Sequence, residues 1–319
     1  MKRASSRNVF CTPIRFVCLS LCCLAVRATT LSQISSESVD RHFITNARSA
    51  ALGDAIVADA SDASNMYWNP SSLSFLRGGS AVLNYSLERV RGRDNYMNEN
   101  VVVSLLQDNG LALGLGTTHS HVGHLEAGSP LLGYSFNQWS FDLGVATTLS
   151  RFLSVGGMST FRYGKAGSQN SIVVSSTLGV MYYPSPEISY GLTYQGIGDG
   201  IEYVFDTTET STNPVKTKLS RSLEIGATLR FDARGDHPSA VFTIATQRML
   251  EKKSLIYKGG LELWPIDFLA LRIGYWIGTQ TVAGRYGGGV RGGQWQLDYG
   301  VSTTKLEPMF HQVSLLCYF

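Results

Sequence analysis

Of the five cysteines in 319 residues, Cys11, Cys18, Cys22 and Cys23 fall within the first 28, and only Cys317 lies beyond them. That scarcity excludes an intrachain disulfide framework and a cysteine-based metal cluster in the rest of the chain. No apolar run is long enough for a membrane-spanning helix. No phosphate-cradling glycine loop, nucleophile elbow or paired-carboxylate motif stands out. Gly287, Gly288 and Gly289 sit within a strand-like stretch, where glycine relieves crowding. Nothing here calls for an enzyme or a cofactor. An excess of one charge is also missing. The chain has 27 basic and 24 acidic residues, but Lys2, Arg3, Arg7, Arg15 and Arg27 all fall in the first 28 residues, with no acid among them. The remaining 22 basic and 24 acidic residues carry a net charge of −2, which gives no warrant for nucleic-acid binding.

The basic residues at the start precede an apolar run from Phe16 to Val26, and Val26-Arg27-Ala28 has small residues at cleavage spacing. Residues 1–28 therefore read as a secretory signal peptide, cleaved after Ala28. Lipidation at Cys22 is the minor alternative, disfavoured by the large Leu21 before it. Residues 29–77 read as an extension and a compact hatch, and residues 78–319 as a barrel.

Arg48 to Leu76 is the one stretch that mixes a helix-compatible pattern with tight polar turns. Ala50, Ala51, Leu52, Ala55, Ile56, Val57 and Ala58 are small or apolar and predict a short, closely packed helix. Asp59, Ser61, Asp62, Ser64 and Asn65 offer caps and turns, and Asn69-Pro70 is a strong turn signal. Tyr67, Trp68, Leu73, Phe75 and Leu76 are too apolar for a free loop.

From Gly78 onward the period becomes two. Leu223, Ile225, Ala227, Leu229 and Phe231 alternate with Ser222, Glu224, Gly226, Thr228 and Arg230, and the pattern recurs around Leu269–Ile277 and Trp295–Val301. The second face is rich in Gly, Ser, Gln and Thr rather than the Lys, Glu and Thr of a solvated sandwich. Aromatic residues gather towards strand ends, as at Tyr163, Tyr182, Tyr183, Trp264, Phe268 and Tyr318, which suits interfacial girdles. The pattern predicts 14 strands, with short turns at 108–109, 150–151, 184–185, 265–266 and 292–293 on one side. The long loops 124–138 and 198–219 fall on the other. The expected fold is all-β: a 14-stranded antiparallel transmembrane β-barrel with a short N-terminal helical hatch in the lumen. Phe319, with Val313, Leu315 and Cys317 on its face, reads as a terminal signal for the outer-membrane assembly machinery.

Ala47, Arg48, Leu52, Gly53, Ala55, Ala58, Asp62, Ala63, Ser64, Trp68, Asn69, Pro70 and Leu73 together resemble the N-terminal signature of the FadL-like outer-membrane transporter family, in particular its PorV-like branch. The resemblance extends to the last strands, around 269–278 and 295–300, and to Phe319. It implies an outer-membrane location among membrane lipids and passive uptake of hydrophobic small molecules, with long-chain fatty acids the prototype. A PorV-like secretion adaptor and a surface structural protein or adhesin are the rival readings.

Within that frame Trp68, Asn69, Pro70 and Ser71 are the candidate constriction. Arg162, Glu224, Arg230, Lys258, Glu262, Arg272 and Asp298 are expected to point into the lumen. Arg162, Arg230 and Arg272 are candidates for steering a ligand carboxylate; the plainer reading is cross-strand pairing that stiffens the wall. His119, His121 and His124 fall within six residues, and neutral imidazoles so placed are candidate ligands for zinc or copper. Ordinary solvated histidines are the alternative.

Overall fold

The computed structural model describes residues 46–76, 78–88, 96–106, 111–122, 136–166, 169–198, 201–206, 212–217, 219–232, 238–251, 253–278, 282–304 and 309–319. Residues 1–28, expected to be a leader and holding four cysteines, the turn at 108–109, residues 131–135 and His124 lie outside the described residues.

The alternating segments form strands β1 (Ser80–Glu88), β2 (Tyr96–Leu106), β3 (Leu111–Val122), β4 (Phe136–Ser150), β5 (Leu153–Ala166), β6 (Gln169–Ser185), β7 (Ile188–Gly198), β8 (Ile201–Asp206), β9 (Thr212–Thr217), β10 (Ser222–Phe231), β11 (Ala240–Met249), β12 (Leu255–Ile266), β13 (Leu269–Ile277), β14 (Val282–Gly292), β15 (Trp295–Thr304) and β16 (Phe310–Tyr318). Fourteen of them close into one antiparallel barrel; β7 pairs directly with β10, and β8 and β9 form a separate hairpin between them. The sequence pattern predicts plain loop over 198–219, so this hairpin is a strand pair that alternation does not reveal. Its twelve residues are interrupted by Pro214 and by a polar turn, so the period-two signal is short.

Alternation sorts the side chains by face. Leu115, Ile172, Ile225, Leu271 and Val290 point outward and are more than half exposed. Their inward neighbours are buried and are mostly Gly, Ser, Thr, Asn and charged residues. An apolar exterior repeated on every barrel strand is a lipid-facing surface, since water would penalise it and a bilayer does not. Tyr182, Tyr190, Phe231, Phe268, Trp295 and Phe319 mark the rim nearest the short turns. Among the described residues no helix is long and apolar enough to cross a membrane.

Closure is made by β1 on β16, in register from Ser80↔Tyr318 to Glu88↔Phe310. Beyond the strands, the Gly79 amide donates to the Phe319 carbonyl at 2.9 Å and the Phe319 amide to the Gly79 carbonyl at 3.0 Å. In lipid an unpaired backbone group costs several kcal/mol, so this last pair of bonds seals the seam at its end. Deleting Phe319 is expected to lower the yield of heat-modifiable barrel several-fold; a full yield on a semi-native gel would show that the seam closes without it.

The N-terminal stretch lies inside the barrel, at the level of the half nearest the short turns. Its helix α1 is shorter than the sequence predicts: Ala47–Ala51 alone, capped by the Asn46 side chain, which accepts from the Ser49 amide at 2.6 Å. The helix stops because Gly53 and Asp54 both take left-handed backbone angles, φ +68° and +53°. Residues 55–58, also expected to be helical, follow as irregular chain. Two 3₁₀ turns complete the element: Ala63–Tyr67, capped by Asp62, and Pro70–Phe75, capped by Asn69.

Candidate functional site

The hatch and the wall around it are built to each other's shape. On ten barrel strands a glycine faces the hatch: Gly114, Gly116, Gly144, Gly156, Gly179, Gly191, Gly226, Gly260, Gly274, Gly287 and Gly300. Several pair across neighbouring strands, Gly114 with Gly144, Gly156 with Gly179, Gly226 with Gly191, Gly260 with Gly274 and Gly287 with Gly300. A Cβ on Gly260 would lie 2.5 Å from the Leu52 carbonyl oxygen, and one on Gly156 2.6 Å from the Ser71 amide nitrogen. Only a bare backbone admits the hatch this closely.

Irregular backbone at membrane depth survives only when its polar groups are satisfied. The small hydroxyls of the wall do this. The Ala47 amide donates to Ser314 Oγ at 2.7 Å and the Ala63 amide to Ser80 Oγ at 2.8 Å. Ser154 Oγ donates to the Ser71 carbonyl at 2.8 Å, Ser189 Oγ to the Ala58 carbonyl at 2.5 Å, and Thr243 Oγ1 to the Ala55 carbonyl. The Gly, Ser and Thr enrichment of the inner face thus has two separate causes, close approach and hydrogen bonding.

A chain of buried ion pairs crosses from wall to hatch and back. Asp298 on β15 accepts from Arg272 on β13 at 2.7 Å, and Arg272 also donates to Glu262 on β12 at 2.5 Å. Glu262 takes the Nε–Nη2 edge of Arg48 on α1 at 2.9 and 3.2 Å. Arg48 Nη1 reaches Asp59 at 2.6 Å, and Asp59 accepts from Arg230 on β10 at 2.9 Å. Three cations and three anions alternate, so no charge is left over. Burial opposes ionisation of Asp59, but the Arg48 and Arg230 guanidiniums outweigh it and hold its carboxyl well below the usual range. A depressed carboxylate stabilises above its unfolded pKa, and that contribution is lost only as pH falls towards the folded value, here in strong acid.

Trp68, Asn69, Pro70 and Ser71 are seated against β5, β6 and β7 rather than hanging across the lumen. Asn69 Oδ1 accepts from the Ser71 amide at 3.2 Å and from Ser71 Oγ at 2.6 Å. Its Nδ2 donates to the Val57 carbonyl at 2.8 Å and the Val180 carbonyl at 3.2 Å. Gln195 holds the Trp68 carbonyl at 3.3 Å. Both hydrogens and both lone pairs of the Asn69 amide are used, so this turn is a fastening.

Arg162, Arg230 and Arg272 all lie on inward-facing positions. Arg230 and Arg272 belong to the ion chain; Arg162 lies apart, on β5, where its charge acts on Asp142. His119 and His121 face outward from β3. Their rings stack 5.1 Å apart, His119 stacks on Trp139 at 4.3 Å, and its Nδ1 lies 3.4 Å from Glu99 Oε2. Among the described residues no three His, Cys, Asp or Glu side chains are grouped to hold a metal.

Immediately outside the hatch, two residues beyond the glycine contacts, the wall carries Thr118, Asp142, Thr193, Glu224, Lys258, Trp276 and Arg285. Tyr67 reaches up to this layer, its hydroxyl accepting from Asn100 Nδ2 at 2.9 Å and donating to Asp142 at 3.2 Å. Lys258 pairs with Glu224 at 2.9 Å. Arg285 and the hatch residue Asp54, paired at 2.7 Å, were not singled out from the sequence. The parity of β14 could have found Arg285, which shares a face with Gly287 and Gly289, whereas the Asp54 contact depends on the left-handed turn.

No protein-family model matches the chain, and no curated protein matches it in sequence. Among solved structures, the chain is similar to the CymD monoaromatic hydrocarbon channel, with a TM-score of 0.66 at 13% identity, covering 86% of this chain and 97% of that one. The fold is that of the FadL-type channels. A Pseudomonas aeruginosa FadL homologue matches at 0.63 with 8% identity, over 86% and 98% of the two chains. The Pseudomonas putida toluene transporter TodX matches at 0.62 with 11% identity, over 86% and 98%. At such identities the likeness is one of architecture, a closed 14-stranded antiparallel barrel, and this chain's own residues set the lining.

Proposed function

We propose that this protein is an outer-membrane channel for passive uptake of small hydrophobic or amphipathic molecules, with long-chain fatty acids as candidate substrates and the hatch as its gate. The observation that carries the reading is a lumen closed by an N-terminal hatch in a barrel of the same architecture as channels for toluene and monoaromatic hydrocarbons. The lipid-facing exterior supports placement in the outer membrane, reached through the expected leader and the assembly machinery. The test is uptake of labelled oleate and toluene by proteoliposomes containing the full chain, Pro70→Ala, or a deletion of residues 48–76. Pro70→Ala loosens the fastened turn and is expected to change uptake severalfold while the barrel stays heat-modifiable. The deletion is expected to raise nonselective leak. No uptake above empty liposomes by the parent or by either variant would overturn the channel reading.

One feature favours a second reading. The six-membered ion chain locks the hatch more firmly than a readily opening gate requires, as suits a closed barrel that serves as a PorV-like adaptor at the cell surface. In that case the parent takes up nothing and a secreted partner protein co-purifies with the external loops.

A further inference from the structure

β1 and β16 come from opposite ends of the barrel sequence and meet with no connecting turn. Every other neighbouring pair in the barrel is consecutive along the chain, apart from β7 and β10, which only the β8–β9 hairpin separates. The entropy of loop closure therefore weighs most on this seam. Its ladder runs in register from Ser80↔Tyr318 to Glu88↔Phe310. The hatch lies against the inward face of that ladder, at the end nearest the short turns.

The hatch is bonded to both strands of the seam. The Ala47 amide donates to Ser314 Oγ on β16 at 2.7 Å, and the Ala63 amide donates to Ser80 Oγ on β1 at 2.8 Å. The two attachment points are tied to each other inside the hatch, because Asn46 Nδ2 donates to Ser64 Oγ. Ser314, Ala47, Asn46, Ser64, Ala63 and Ser80 thus make one continuous bridge from the last strand to the first. Bond direction adds a second crossing. Ser154, Ser189 and Thr243 elsewhere on the wall donate to hatch carbonyls. Ser314 instead accepts from a hatch amide, so its own proton is free to donate across the seam to Asn84 Oδ1 at 2.7 Å. Apolar packing spans the same line. Val82 and Leu316 face each other across the seam and are buried in one cluster with the hatch residues Leu52, Ala63 and Met66.

We infer that the hatch is the clasp of the barrel, tying its first strand to its last. The backbone ladder closes the barrel, and the clasp holds the seam against local opening. This function is separate from any part the hatch plays in gating and does not depend on what passes the lumen. A motion that swung the whole hatch out would release the seam as well.

The experiment is hydrogen exchange read by mass spectrometry on the detergent-solubilised full chain. Ser64→Ala opens the bridge at a residue whose hydrogen bonds all lie within the hatch. Asn46→Ser opens it from the other side; it lacks the amide donor but keeps a side-chain oxygen to cap α1. Ser72→Ala is the control, since the Ser72 hydroxyl is buried in the hatch without a hydrogen-bond partner. Each variant is first checked for heat-modifiable migration. In Ser64→Ala and Asn46→Ser, exchange in β1 and β16 is expected to quicken about fivefold or more, as loss of a buried hydrogen bond implies, while β4 and β5 change less than about twofold. Ser72→Ala is expected to match the parent throughout. Unchanged exchange in β1 and β16 would overturn the inference. So would an equal rise in β4 and β5, which also touch the hatch, because the hatch would then be loosening as a whole and not unclasping a seam.

Discussion

Arg48→Ala is expected to release the hatch while leaving the barrel closed. Arg48 is the sole member of the ion chain that touches anions on both hatch and wall, Asp59 and Glu262. Its removal leaves Glu262 with Arg272 alone and Asp59 with Arg230 alone, each in a buried site with one counterion fewer. Breaking a buried pair in this way costs about 3–5 kcal/mol, most of it the desolvation of the charge left behind. The barrel ladder is untouched, because none of its backbone bonds involve Arg48. A single cysteine at Ser49, in a Cys317→Ser background, gives the readout. In the parent it is enclosed and slow to react with a polar maleimide; in Arg48→Ala its labelling rate is expected to rise at least tenfold. Arg48→Lys keeps one charge but not the two-pronged contact with Glu262, and falls between. Labelling of Arg48→Ala as slow as the parent's would mean that packing alone holds the hatch.

The second large effect comes from the glycine belt. Gly260→Val is expected to unseat the hatch by collision, since the added Cβ would lie 2.5–2.9 Å from the carbonyl oxygen, Cα and carbonyl carbon of Leu52. These are backbone atoms, and no side chain can rotate away. Overpacking of this kind costs about 1–3 kcal/mol where the surroundings can shift, and more where they cannot. Gly292→Val is the control, because nothing lies within 4 Å of a Cβ there. The test is a double-mutant cycle in which Gly260→Val is made in the full chain and in the chain lacking residues 48–76, with the midpoint of heat modification as readout. In the full chain the midpoint is expected to fall by several degrees. Without the hatch the same substitution is expected to be close to neutral, because the group it strikes is gone. Equal destabilisation in both backgrounds would place the belt's role in the barrel wall itself.

Alternation on residues such as Leu223–Phe231 was enough for face, strand count and closure, because a strand's period follows from its own backbone. Arg230, Glu262, Arg272 and Asp298 could be placed inward for the same reason. Their partners could not be read, since Arg272 to Asp298 crosses over β14 and Arg48 to Glu262 joins the wall to an inserted segment whose depth no local pattern encodes. The hairpin β8–β9 was missed because two short strands broken by Pro214 carry too little period. The helix is shorter than expected for a through-space reason: seven small or apolar residues favour helix, but Gly53 and Asp54 turn left-handed to bring Leu52 and Ala51 against bare backbone on β12 and β13.

What the sequence determined by itself is the barrel, its apolar exterior and the existence of a compact N-terminal hatch. Periodicity and composition act residue by residue and are legible in one dimension. What only the tertiary structure decided is how hatch and wall engage: which glycines admit it, which hydroxyls satisfy it, and which charges fasten it. It also decided that the hatch reaches both strands of the closing seam. Those outcomes depend on through-space distances of a few ångströms between residues up to 267 positions apart, and a buried charge or donor has its meaning set by whatever the fold brings within that range.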